Sequence, residues 1–313
     1  MSCAICGSSD QAILFNDTVE SSEWYLNNVH YDYIACDQCG FIQCHPVPPA
    51  DDLLQYYREQ YAYDWFQKNT YFKKWQASHR LGKVRRYLKG SSRILDFGCG
   101  HGFFVQELAR EKFESFGFDI GADKIMEAGN ARITNKNNLE EYTERGFDVI
   151  SLWHVLEHMR DHDKVLEDLA GRINPGGKII IAVPNISSLG YKLFRQKWGW
   201  VQQPYVHINH YNRQTLSMLL QKHGFSVRSA STRDTWDQNL YDLLITYFFY
   251  RKKSRNPVRK FGNGTGANLF FRANQVARLL FTPVSYLVSF IRKKKEEGSE
   301  LLIVAEKKRN GDL

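Results

Sequence analysis

Apolar runs and amphipathic stretches alternate through the middle of the chain, and this alternation is its strongest structural signal. Arg93 to Phe97 reads as a strand, followed by glycines at 98, 100 and 102 and a helix over Phe103 to Arg110. Glu114 to Asp119 is a second strand that ends in an acid, Asp123 to Ala128 a short helix, and Ala131 to Thr134 a weak strand. Phe147 to Leu152 is a continuous apolar run of the kind buried on both faces of a parallel sheet. Trp153-His154-Val155-Leu156-Glu157-His158 leads from it to a helix over Asp163 to Ile173, an Asn174-Pro175-Gly176-Gly177 turn and a strand over Lys178 to Val183. A helix over Arg213 to His223 and strands over Phe225 to Ser231 and Leu301 to Ala305 complete the pattern. It predicts an α/β fold with a doubly wound sheet and ligand loops at the carboxyl ends of its strands.

The flanks break the alternation. Near the start stand Cys3-x-x-Cys6 and Cys36-x-x-Cys39, with Cys44 and His45 shortly after and short strands over Ala12 to Phe15 and Tyr31 to Ala35. Each pair suits a tight knuckle that presents two thiolates to one tetrahedral ion, and the two pairs together complete a structural Zn²⁺ site. Buried free thiols or a redox pair are the alternatives, and Cys44 or His45 a replacement ligand. Pro46, Pro48 and Pro49 mark a boundary. Asp51 to Leu88 is helical in tone and rich in aromatics, among them Tyr57, Trp65 and Trp75, which more often join helices than stack on bases or sugars. Arg80, Lys83, Arg85 and Arg86 read as a solvated helix face.

The organisation that follows is a zinc-binding module over 1–50, a helical cover over 51–90 and an α/β domain over 91–313 with a helical insertion at about 236–298. Within the insertion, Ala267 to Ile291 is apolar but contains Arg272 and Arg278, which argue against a spanning helix of about twenty uncharged residues. It reads either as a cover over the sheet or a homodimer face, or as an amphipathic segment that Arg292 to Lys295 hold to an anionic membrane surface.

Composition narrows this picture only in part. The 313 residues are 43% hydrophobic and 24% charged, as in a globular protein, and the net charge of +8 favours an anionic partner such as nucleic acid, a nucleotide-sugar, an acidic glycan or a membrane surface. Six cysteines behind an N-terminus without a signal-peptide pattern point to a reducing, cytoplasmic setting, with the inner face of the membrane as the place for any peripheral contact.

The chemistry centres on Arg93 to Phe104. Gly98, Gly100 and Gly102 lie between a strand ending in Asp96 and a helix, where a ligand must approach the backbone without meeting a Cβ. Their spacing differs from the dinucleotide fingerprint. Asp119, at the end of the next strand, stands where an acid can accept ribose hydroxyls. These residues resemble the cofactor-binding motifs of class I S-adenosylmethionine-dependent methyltransferases, and WHVLEH and NPGGKIIIAVPN resemble the later motifs of their sugar and small-molecule branch. The resemblance covers residues 91–231 and implies a seven-stranded, Rossmann-like sheet whose last strand runs antiparallel inside it. It also implies that Asp96 and the glycines hold the methionine part, Asp119 the ribose, and that Asn135 and His154 border the cofactor.

An N-terminal four-cysteine module before such a domain is similar to the zinc-containing sugar methyltransferases. The C-methylating members usually carry a further C-terminal domain for which this chain has no room, which counts against C-methylation and leaves transfer to a sugar or glycan hydroxyl as the leading expectation. RNA methylation is the alternative, and a non-catalytic interaction protein the third reading. A hydroxyl acceptor needs a base, and His154, His207 and His210 are the candidates, with His158 beside them, because imidazole titrates near neutral pH. Glu157 reads as an orienting or capping residue, and Trp198 and Trp200 as packing or sugar-stacking residues.

Overall fold

The computed structural model describes residues 2–18, 30–60, 70–120, 132–135, 139–198, 200–201, 206–235, 243–244 and, toward the C-terminus, 276–277, 280–281, 283–285, 287–291 and 295–309. The helix expected at 123–128, most of the 236–298 insertion and the basic residues 292–294 lie outside them.

The core is a sheet of seven strands: β4 (Arg93–Phe97), β5 (Glu114–Asp119), β6 (Arg132–Asn135), β7 (Phe147–Trp153), β8 (Ile173–Pro184), β10 (Phe225–Arg233) and β11 (Glu300–Lys307). Their order is β10-β11-β8-β7-β4-β5-β6. β4, β5, β6, β7 and β8 are parallel, while β11 runs antiparallel between β8 and β10. This is the doubly wound, Rossmann-like sheet with the reversed inner strand that the sequence predicts. Ile150, Leu152, Ile179, Ile181, Ile303 and Ala305 are all buried, which is why these strands read as unbroken apolar runs. The Asn174–Gly177 turn stands inside β8: pairing jumps from Phe147↔Ile173 to Val149↔Lys178, and the extra residues bulge out.

The helices are α1 (Ala50–Gln60), α2 (Thr70–Val84), α3 (Phe103–Arg110), α4 (His162–Arg172), α5 (Leu189–Phe194) and α6 (Arg213–Lys222). Ala77, Leu81 and Val84 of α2 pack with Phe104 and Leu108 of α3 and with Trp153, so α2 covers one face of the sheet. Its basic run is solvated only in part. Arg80 lies over the Trp153 ring and Lys83, buried, bonds Glu300 at 2.7 Å; Arg85, paired with Glu111, and Arg86, over the Tyr87 ring, stand out in water. The cations turn inward because the last strand opens with a buried acid that requires a partner.

A second, antiparallel sheet is built from β1 (Gln11–Thr18), β2 (His30–Cys36), β3 (Ile42–His45) and β9 (Asn209–His210), in that order. Its fourth strand comes from far along the chain: Ile42 pairs with His210 and Gln43 with Asn209. Cys3, Ile5, Cys36, Cys39 and Phe41 share one apolar cluster with the main sheet and α6. The cysteine-bearing segment is thus packed into the α/β domain. Among the described residues near the C-terminus, Val276, Leu280, Val284, Leu287 and Ile291 are exposed at helical spacing, and no helix is long and apolar enough to cross a membrane.

Candidate active site

The glycine turn follows β4. Gly98, Gly100 and Gly102 have φ of 73°, 54° and 74°, a region that residues with a Cβ avoid. Space forbids a side chain as well: a Cβ at Gly98 would sit 2.4 Å from Val155 Cγ2, and one at Gly102 would sit 2.3 Å from Ile133 Cδ1. The N–H groups of Gly98 and Cys99 donate to the Phe118 carbonyl at 2.7 and 3.0 Å. Gly100 N–H donates to Asp119 Oδ2 at 2.6 Å, so turn and acid form one unit. The Cys99 thiol fills the space over Gly117, where a Cβ would come within 2.8 Å of it. Asn135 ends β6 in register with Asp119, and its side chain is outside the described residues.

Asp96 is 2% exposed, and its Oδ1 accepts a hydrogen bond from Ser151 Oγ at 2.7 Å. Burial raises its pKa to about 7 against the Ser151 bond and the charge of Arg80. Burial likewise raises Asp119 to about 6, opposed by the N–H groups of Gly100 and Ile120. Two carboxylates at neighbouring strand ends therefore lack enough positive charge of their own. A cationic ligand with hydroxyls is what this cradle fits.

On the other side of the cradle, β7 runs out at Trp153 into His154, whose φ of 56° is left-handed. Its Nδ1 lies 3.2 Å from Glu157 Oε1 and its Nε2 3.1 Å from Glu300 Oε2, while Lys83 donates to the other Glu300 oxygen. Burial opposes a charge on this ring, but the two carboxylates outweigh it and raise its pKa to about 9. His154 is then an imidazolium at neutral pH and offers no lone pair. Trp200 stands beside it, half-buried, with ring centroids 5.6 Å apart, whereas Trp198 is buried against Tyr191 and Gly190 as a packing residue.

The remaining histidines gather around Glu157, itself 1% exposed. His158 Nδ1 donates to the Val206 carbonyl at 2.8 Å, and His207 Nδ1 donates to the Trp200 carbonyl. The His158 and His207 rings are 4.9 Å apart, and His210 lies 6.3 Å from His207. Burial first, then the charge of neighbouring histidines, lowers His207 to about 4 and His210 to about 3. The His207–His210 segment is pinned from the second sheet: Tyr33 OH donates to the His207 carbonyl at 3.0 Å, Cys44 N–H to the Ile208 carbonyl at 2.8 Å, and Gln43 Nε2 to Asn209 Oδ1 at 3.1 Å.

Cys3, Cys6, Cys36 and Cys39 converge, with their sulfurs within 4.8 Å of one another. Cys3 and Cys39 sulfurs are 3.6 Å apart and those of Cys6 and Cys36 3.5 Å. Both halves use the same device: Gly7 N–H donates to the Cys3 carbonyl and Gly40 N–H to that of Cys36, and each glycine has a positive φ, 76° and 74°. Backbone N–H groups of Ile5 and Cys6 point at the Cys3 sulfur, and those of Gln38 and Cys39 at the Cys36 sulfur.

Sequence reasoning did not single out Ser151 or Glu300, and it placed Lys83 on a solvated face whereas its side chain is buried on Glu300. Glu300 opens the last strand as one acid among several, and nothing in its neighbourhood in sequence distinguishes it.

The family model described as a methyltransferase domain matches residues 57–230, more than half of the chain. Among curated relatives, the ubiquinone biosynthesis O-methyltransferase of Pectobacterium carotovorum is 28% identical over 118 residues, which is 34% of this chain and 49% of that protein. That of Aeromonas salmonicida is 30% identical over 109 residues, 32% of this chain and 46% of the relative. The chain thus spans about half the length of the curated relatives it matches. Of solved structures, a SAM dependent methyltransferase from Archaeoglobus fulgidus aligns with 20% identity over 75% of this chain and 94% of that one, with a TM-score of 0.48. With its glycine turn, its acid-tipped second strand and its reversed inner strand, the chain belongs to the methyltransferase-domain family and carries the class I, S-adenosylmethionine-dependent domain.

Proposed function

We propose that the protein transfers a methyl group from S-adenosylmethionine to a hydroxyl of a sugar or glycan. The observation that carries the donor half is the under-compensated pair Asp96 and Asp119 beside a turn closed to side chains. S-adenosylmethionine supplies an activated methyl group on a cationic sulfur. Asp119 accepts the ribose hydroxyls, Asp96 and the side-chain-free glycine turn border the methionine part, and the end of β6 at Asn135 borders the base.

For the acceptor, the curated relatives are named O-methyltransferases, which favours oxygen. Trp200, half-buried beside His154, offers a sugar an aromatic face for its C–H side. The hydroxyl proton falls to the cluster around Glu157. The four cysteines hold one structural Zn²⁺, since Zn–S bonds of about 2.3 Å put tetrahedral sulfurs roughly 3.7 Å apart, close to the 3.5 and 3.6 Å separations here.

Trp200→Ala tests the acceptor face. Loss of a stacking partner worth about 1 kcal/mol raises KM for a sugar acceptor about fivefold and leaves the affinity for S-adenosylmethionine unchanged. An unaltered KM contradicts a sugar at this position.

A further inference from the structure

We propose that the segment 276–295 is a docking surface for the anionic face of a lipid bilayer. The described residues of 276–291 are helical, and their polarity is the reverse of a helix packed on a globular domain. Its serines point inward: Ser285 is buried, and Ser289 Oγ donates to Asp234 Oδ2 at 2.5 Å. The aliphatic residues point outward, with Leu280 75% and Leu287 62% exposed beside Val276, Val284 and Ile291. Steps of four or three residues along the helix put these five on one stripe. A contiguous exposed stripe of this kind marks an interaction surface.

The helix is fastened with that stripe facing out. The Asp234 carboxylate that accepts from Ser289 also accepts the Ser299 N–H at 3.1 Å, which ties the helix to the foot of β11. Beside it, Leu189 N–H donates to the Glu297 carbonyl at 3.0 Å and fixes the same foot to α5. Turning the leucines inward would break the Ser289 bond and expose Ser285.

Charge decides the occupant. Residues 243–295 contain twelve Lys and Arg and no Asp or Glu, which leaves 30 cations and 34 acids, a net charge of −4, for the rest of the chain. The positive excess of the protein therefore belongs to this segment. Arg292 to Lys295 follow the stripe directly, and Lys295 is exposed. The acids that come next are already paired, Glu296 with Arg213 and Glu297 with Lys192 at 2.9 Å. Aliphatic side chains bordered by Lys and Arg match the acyl and phosphate layers of an anionic leaflet. RNA offers phosphates, but its bases stack on aromatic or guanidinium planes and not on Val, Leu and Ile. A second copy offers an apolar stripe but brings twelve like charges with it. Arg278, within the span of the stripe, keeps the segment at the interface and out of the bilayer centre. The contact does not depend on which acceptor is methylated.

The test is flotation of the full chain with phosphatidylcholine vesicles containing about one third phosphatidylglycerol, at about 0.1 M salt. The chain binds these vesicles at least about tenfold more tightly than phosphatidylcholine alone. Leu280→Glu with Leu287→Glu weakens binding by at least about a hundredfold. Arg292→Gln with Lys293→Gln, Lys294→Gln and Lys295→Gln does the same, and calorimetry gives both variants the wild-type affinity for S-adenosylmethionine. A wild-type chain that binds S-adenosylmethionine but floats with no vesicle overturns the proposal. So does flotation that survives the leucine pair. RNA binding without flotation assigns the cations to nucleic acid, and a dimer that the leucine pair dissolves, again without flotation, assigns the stripe to a second copy; either result overturns the bilayer contact.

Discussion

Cys36→Ser abolishes methyl transfer although it lies in a different sheet from the glycine turn. Cys36 closes β2, shares the sulfur cluster with Cys3, Cys6 and Cys39, and is buried in the cluster of side chains that underlies the main sheet. Loss of one thiolate releases the Zn²⁺ proposed here, and breaking a structural site costs on the order of 4 kcal/mol or more. The strands it braces hold the histidines: β3 pairs with β9, Tyr33 fixes the His207 carbonyl, and the Tyr33 ring packs on His210 at 4.9 Å. The expected result is a zinc content near zero, a Tm lower by about 10 °C, and turnover down at least about a hundredfold. Binding of S-adenosylmethionine falls much less, because the turn is held by the Phe118 carbonyl and the Asp119 carboxylate of the main sheet. A variant with wild-type Tm and turnover refutes the bracing role.

Asp119→Ala lowers the affinity for S-adenosylmethionine by about a hundredfold, the loss expected when a charged acceptor of two hydroxyls is removed. It also frees the Gly100 N–H that the carboxylate holds at 2.6 Å. Asp119→Asn keeps an acceptor for that N–H and loses only the charge, so its defect is smaller, about tenfold. The pH dependence carries the same signature. Burial holds Asp119 at about 6 and Asp96 at about 7 in the free protein. A cofactor that binds the ionised forms competes with the proton, so affinity weakens as pH falls from 7 to 5. Stability of the free protein moves the opposite way. Both groups bind protons more tightly folded than unfolded, so their contribution to stability is largest below pH 4 and is lost as pH rises through 6 and 7. Asp96→Asn flattens part of both trends. An affinity that is level across this range, in protein that stays folded, contradicts the assignment of these carboxylates to the cofactor.

How far the sequence reached follows from where each signal lives. The glycine turn and Asp119 are local: strand, glycines and acid lie within 27 residues of one another, and the steric demand at Gly98 and Gly102 leaves no alternative residue. The cysteine pairs are legible for the same reason, since each knuckle closes within five residues. The roles of the histidines were not legible, because long-range contacts set them. His154 becomes a cation through Glu300, 146 positions away, and Lys83 turns inward for that same acid. His207 and His210 are placed by a two-residue strand, Asn209–His210, that no periodicity can reveal and that pairs with β3. Trp198 and Trp200 read alike in sequence, yet the first is packed and the second borders the site, because the approach of Gly190 leaves room for only one indole against α5.

The central claim is that a sugar hydroxyl receives the methyl group. Its most direct test incubates the full chain with S-adenosylmethionine bearing a CD₃ group, a set of nucleotide-sugars and glycans with free vicinal hydroxyls, and total RNA, and follows the label by mass spectrometry. The account predicts CD₃ on a hydroxyl oxygen of a sugar, lost in Asp119→Ala. Label found in RNA and absent from every sugar would contradict it.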